Sequence, residues 1–228
     1  MSELKKFQSQ TARPLPVIIL ADTSASMSVD GKITALNSAL KEMLNTFASE
    51  SRLRAEIQVS VITFGGVADM HLPLTPAHQI EGFEPLPAIG GTPMGAAFKL
   101  AAEMIEDKER ISSRAYKPVV VLVSDGYPTD DIEVSFQQLM NGERSSKATR
   151  FAMGIGADAD SSLLESFAND LEAPVFSADN ARDIHRFFKA VTMSVTTRSR
   201  STAANQATPL VLPPANNADS GEFEELDF

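Results

Sequence analysis

The chain is 228 residues long, 43% hydrophobic and 22% charged, a composition that suits one globular domain with a short remainder. Thirty acidic against twenty basic side chains leave a net charge of −10, which excludes a broad electrostatic attraction to nucleic acid or to an anionic membrane and favours divalent cations and basic partners. With no cysteine there are no disulfides, thiolate nucleophiles or cysteine metal sites, and a reducing compartment is permitted.

Residues 1–14 read as a lead-in without chemistry. Val17 to Ala21 is a continuous aliphatic run, the pattern of a strand buried on both faces of a parallel sheet. The wider apolar stretch from Leu15 to Ala21, interrupted by Pro16 and ended by Asp22, is too short to span a membrane, and no small-residue cleavage site follows it; the expected location is the cytoplasm. Leu36, Leu40, Met43, Leu44 and Phe47 then fall on one helical face, followed by a strand from Ile57 to Phe64. Gly65 and Gly66 separate that strand from "VADMHLPLTP" (67–76), a spacing that predicts a hairpin and one antiparallel edge strand.

Met94, Ala97, Phe98, Ala101 and Ile105 predict a second helix, and Val119 to Val123 a strand. A helix over 131–140, a strand from Phe151 to Ile155, a helix over 161–170, a short strand from Pro174 to Phe176 and a helix over 181–191 complete the series. This alternation predicts an α/β fold: a doubly wound, mostly parallel sheet with helices on both faces, over residues 15–195. Residues 196–228 are rich in Ser, Thr, Ala, Asn and Pro and lack periodicity, the composition of a disordered tail. After Arg200 the tail carries Asp219, Glu222, Glu224, Glu225 and Asp227 and no basic residue.

Ligands of open α/β sheets bind outside the carboxyl ends of the strands. Asp22 stands there after the first strand, with Ser24 and Ser26 at alternate positions; Asp125 stands there in "VVVLVSDG"; and Thr92 lies in "GGTP", which opens the second helix. All five offer oxygen and none nitrogen or sulfur, the donor set of a hard divalent cation. With only two carboxylates, Mg²⁺ is the expected ion and Mn²⁺ the next choice; Ca²⁺, which takes more carboxylates, is a poorer match. An ion held so sparingly by charge seeks an anionic ligand. The Gly90-Gly91 pair gives the Thr92 loop backbone freedom to approach closely. His71, His78 and His185 have no metal-ligand spacing.

At these residues the sequence resembles the von Willebrand factor A domains. "DTSASM" matches their Asp-x-Ser-x-Ser element, the Thr of "GGTPMG" their separate metal-binding threonine, and "SDG" their second aspartate. The resemblance covers about 15–195 and implies a metal-ion-dependent adhesion site: Ser24, Ser26 and Thr92 contacting the ion through hydroxyls, Asp22 and Asp125 directly or through water, and a partner carboxylate in the sixth position. The wording of "PVIILADTSASM", "GGTPMGAAF" and "VVVLVSDGYPTDD" looks most like the bacterial tellurium-resistance, TerY-like branch. That resemblance implies an intracellular stress-response setting with protein kinase or phosphatase partners.

The expected function is therefore an interaction module and not an enzyme. The alternative is a Mg²⁺-dependent phosphotransferase or hydrolase with Asp22 as nucleophile. Such sites add a carboxylate two residues on, where this chain has Ser24, and a lysine that neither "SDGYPT" nor "GGTPMG" provides. No glycine-rich phosphate loop is present. The acidic "GEFEELDF" end is a further expected source of a carboxylate, reaching the metal site from within the chain.

Overall fold

Strand β1 (Arg13–Asp22) is apolar at consecutive positions because it lies at the centre of the sheet, and neither face meets water. Leu15, Val17, Ile19 and Ala21 pack on one face, Ile18 and Leu20 on the other, all fully buried. Each of the Leu, Val and Ile side chains contributes about 1.5–3 kcal/mol on leaving water. The computed structural model describes residues 12–50, 52–169, 175–206 and 210–213.

Parallel to β1 run β2 (Ala55–Gly65) on one side and β4 (Val119–Ser124) on the other. β5 (Thr149–Ile155) and the three-residue β6 (Phe176–Ala178) extend the β4 side in parallel. The predicted hairpin is present: β3 (Val67–Pro76) pairs antiparallel with β2 at the far edge, with two shifts of register and prolines at 73 and 76. The order β3-β2-β1-β4-β5-β6 thus has its switch point between β1 and β4, the two strands that end in Asp22 and lead to Asp125.

Helix α1 (Lys32–Ser49) and the long α5 (Ala181–Arg200) cover one face, where Leu36, Leu40, Met43, Phe187, Phe188 and Val191 meet the odd residues of β1. α2 (Met94–Glu106), α3 (Glu133–Asn141) and α4 (Ser161–Phe167) cover the other through Phe98, Ala101, Leu139 and Phe167. The fold is the mixed, mostly parallel sheet with helices on both faces that the strand–helix alternation predicts.

The first strand and the last helix run beyond residues 15 and 195. β1 begins at Arg13, within the residues assigned to a lead-in, because Arg13 and Pro14 register against Ala55 and Glu56. At the other end, residues 196–200 are the last turn of α5 and not tail: Arg198, 1% exposed, donates to the carbonyls of Lys117 and Ala204, while Arg200 pairs with Glu50 at 2.6 Å. The chain then returns along α5; Leu210 is buried in the core and Arg186 donates to the Pro213 carbonyl at 3.1 Å. The expected start of the last strand at Pro174, the acidic 219–227 segment and residues 1–11 lie outside the described residues.

Candidate metal centre

Strand β1 ends in Asp22, and the chain turns at once into a short 3-10 stretch, Ala25–Gly31. The Ser24 N–H donates to Asp22 Oδ1 at 2.8 Å, which curls the loop back over the strand end. From there a line of polar contacts crosses the switch point: Ser24 Oγ meets Ser26 Oγ at 3.0 Å, and the Ser26 hydroxyl donates to Asp125 Oδ1 at 2.7 Å. Four of the five oxygen-bearing residues singled out in the sequence are therefore joined in one hydrogen-bonded group, although 99 positions separate Ser26 from Asp125.

Thr92 arrives through its backbone. The Ala25 N–H donates to the Gly90 carbonyl at 2.9 Å, the Ile89 N–H to the Thr23 carbonyl at 2.8 Å, and the Gly66 N–H to the Gly91 carbonyl at 2.8 Å. These stitches hold the Gly90-Gly91 loop between the Asp22 loop and the β2–β3 turn. Gly90, at φ 71°, is required there: a Cβ would stand 2.5 Å from the Gly66 Cα. The segment after Asp125 closes the arrangement. Thr129 accepts from the Thr92 N–H through its hydroxyl and donates its own N–H to the Thr92 carbonyl, while Asp130 accepts from the N–H groups of Gly95 and Ala96 at the start of α2. Thr92 is 6% exposed, and its hydroxyl makes no hydrogen bond among the described residues.

Two residues of the site were missed by sequence reasoning. Ser124, 1% exposed, donates its hydroxyl to Asp22 Oδ2. Lys32, the first residue of α1, places Nζ 2.9 Å from Asp125 Oδ2. Ser124 adjoins Asp125 in the quoted "SDG", so adjacency was its signal; nothing local marks Lys32.

Burial pushes the Asp22 carboxyl above the usual carboxylate range; the Ser124 and Ser24 hydrogen bonds pull it back only in part, and the neighbouring Asp125 charge adds to the rise. A buried carboxylate in that condition is relieved by a cation. The donor set fits a hard divalent ion on two counts: apart from the Lys32 ammonium, the side chains that gather offer only oxygen, and Thr92 has a free hydroxyl. Among the described residues no three His, Cys, Asp or Glu side chains gather as a metal site, so a site here relies on hydroxyls.

A doubly wound sheet with a cluster of hydroxyl and carboxylate side chains at its switch point defines a class of α/β domains. The von Willebrand factor type A domain family matches residues 17–190, and the chain belongs to that family of protein-interaction modules, which often carry a metal site. The human collagen alpha-1(XXI) chain is 30% identical over 118 residues, 50% of this chain and 12% of its own length. Proximal thread matrix protein 1 of the mussel byssus, in a structure with a zinc-occupied MIDAS motif, superposes with a TM-score of 0.61 at 19% identity over 80% of this chain and 48% of that one. A von Willebrand factor type A protein from Catenulispora acidiphila gives 0.61 at 20% identity over 81% and 43%. The chain thus spans about an eighth of the collagen and less than half of either solved protein.

Proposed function

We propose that this chain is a metal-ion-dependent protein-interaction module in which Asp22, Ser24, Ser26, Thr92 and Asp125 hold one divalent cation, Mg²⁺ or Mn²⁺ by the hardness of the donors. The observation that carries the reading is the hydrogen-bonded line from Asp22 through Ser24 and Ser26 to Asp125. When bound, the ion supplies a Lewis-acidic position for a carboxylate oxygen of a partner. The chain's own residues orient the donors: Ser124 holds Asp22, and Thr129 and Asp130 hold the Thr92 loop.

The rim supports a protein ligand. Val29, Ile89 and Tyr127, exposed large apolar side chains, stand on the segments that build the site, and exposed Val67 opens β3 at the turn that abuts it. An acidic residue flanked by apolar neighbours matches that combination of polar centre and apolar collar. The loop wording further supports a place in the bacterial, TerY-like tellurium-resistance branch, and with it a cytoplasmic setting and a kinase or phosphatase as partner. No described helix is long and apolar enough to cross a membrane.

Capture of binding proteins on the immobilised chain tests the reading: a partner held in Mg²⁺ is expected to be lost both in EDTA and from Asp22→Ala. Retention in both overturns it. Phosphoryl transfer fits less well, because Asp22 is fully buried with both carboxylate oxygens engaged, and Lys32, the lysine such chemistry needs, is on Asp125 instead. Phosphatase turnover abolished by Asp22→Asn would reverse that preference.

A second ligand reading draws on the chain's own end. Pro213 is held at the second turn of α5, which begins just after β6 ends, at the end of the molecule that bears the site; residues 214–228 follow it in sequence. They span up to ~50 Å at ~3.3 Å per residue, and their acids alternate with Phe223, Leu226 and Phe228. Deleting 214–228 is expected to raise partner affinity or change self-association; unchanged affinity and mass would remove this reading.

A further inference from the structure

Lys32 occupies an electrostatically unfavourable place. It follows two consecutive left-handed residues, Asp30 at φ 53° and Gly31 at φ 65°, and begins α1, whose free N–H groups and partial positive charge repel a cation. No acidic residue in the first turn of α1 offsets this. The side chain does not escape to solvent. It is 21% exposed and reaches across the strand ends to Asp125, whose side chain is fully buried. A Cβ added at Gly156, just past β5, would stand 3.9 Å from the Lys32 Nζ, so the ammonium lies between the ends of β4 and β5. The two oxygens of Asp125 are divided: Oδ1 takes the Ser26 hydroxyl on the side of Ser24 and Asp22, and Oδ2 takes Lys32 on the other.

We propose that Lys32 is a built-in counter-cation that sets the charge of the metal site, weakening its hold on the ion and strengthening its attraction for an anionic ligand. The inference rests on the metal-binding reading given above. With Asp22 and Asp125 ionised, the two carboxylates and one ammonium leave one negative charge; a divalent ion turns this into one positive charge. Without Lys32 the loaded site is neutral. Two carboxylates alone would bind the ion more tightly, and the resulting site would draw a carboxylate less strongly. Because Lys32 holds the oxygen of Asp125 that faces away from Ser26, it can keep its contact while Oδ1 and the serine hydroxyls face the ion.

The test uses the full chain as wild type, Lys32→Gln, Lys32→Met and Asp22→Ala. Mn²⁺ alone is titrated calorimetrically, and acetate is then added to the Mn²⁺-loaded protein while water-proton relaxation reports displacement of metal-bound water. Removing the Lys32 charge is expected to tighten Mn²⁺ binding at least tenfold and to weaken acetate severalfold, opposite shifts that a merely structural lysine would not produce. Lys32→Gln keeps a donor for Oδ2, so it reads the charge if Lys32→Met fails to fold. Thermal unfolding adds a second readout: both variants are expected to melt below wild type in EDTA, where buried Asp125 has lost its counter-ion, and to recover most of the deficit in Mn²⁺. Unchanged or weaker Mn²⁺ affinity in both variants, with binding still abolished by Asp22→Ala, overturns the role of Lys32 and leaves the metal site standing. Acetate binding as strong in the variants as in wild type also overturns it. Absence of Mn²⁺ binding by wild type and variants alike overturns the metal reading, and this inference with it.

Discussion

Asp22 carries its charge at the cost of burial, and a single hydroxyl does much to make that tolerable. Ser124 donates to Asp22 Oδ2 from a position closed to water, so Ser124→Ala leaves a buried carboxylate oxygen without its partner. The expected loss is about 1–3 kcal/mol of stability in urea unfolding, with weaker Mn²⁺ binding in the same protein. At this scale the sequence was informative where chemistry is local. Asp22, Ser24 and Ser26 could be read together because one tight loop follows a buried strand, and Asp125 because it directly follows another. Lys32 was not legible: its partner lies 93 residues away, and a lysine opening a helix carries no mark that it will fold inward.

Helix starts and stops show a similar division. The periodicities of α1 and α2 follow directly from apolar spacing, and Asp160 and Asn180 cap α4 and α5 locally by accepting from Leu163 and Asp183. The start of α2 has no local side-chain cap. Its free N–H groups are satisfied by Asp130, 34 and 35 positions later, so the element that positions Thr92 depends on the loop that follows Asp125. Glu106, the last residue of α2, ties that helix to the turn after α3. Burial works against its charge, but the backbone N–H groups of Ser145 and Arg144, at 2.9 and 3.0 Å, outweigh burial and hold its pKa below the ordinary value. A lowered folded pKa means that the unfolded chain takes up the proton first. The stabilisation is complete above the unfolded value of about 4.3 and is lost as pH falls through the folded one. Glu106→Gln is therefore expected to destabilise the fold modestly at pH 7, by less than about 1 kcal/mol once solvent screening of this partly exposed carboxylate is allowed for, with the gap to wild type closing toward pH 3 in a urea series.

Across the whole molecule, composition located the core but misplaced its limits. The stretch after Thr196 reads as linker because its apolar residues are sparse, yet Ala204 and Leu210 are buried and the Ala204 carbonyl accepts from Arg198, whose guanidinium burial pulls down to about 10. An alanine pair and the three-residue run Leu210 to Leu212 are too short to leave a periodic trace, which is why this strap after α5, described over 201–206 and 210–213, was not legible. A chain ended at Arg200 is expected to melt about 4–10 °C below one ended at Pro213, from the loss of one buried leucine and the exposure of its seat; equal melting temperatures in a scanning calorimeter would show the strap to be idle.

The β3 edge has a bearing on how copies of this molecule meet. An exposed edge strand ordinarily offers an unbroken row of amide hydrogens and carbonyls to any extended chain, the route to strand addition and to fibrous growth. Here the row is interrupted by Pro73 and Pro76, which have no amide hydrogen to give, and by two slips in pairing that bend the ribbon. At the opposite margin β6 offers only three residues. The sheet is thus poorly suited to recruiting a further strand at either side, which leaves encounters with other proteins to side chains and loops and keeps a crowded solution of these domains from polymerising through its backbone.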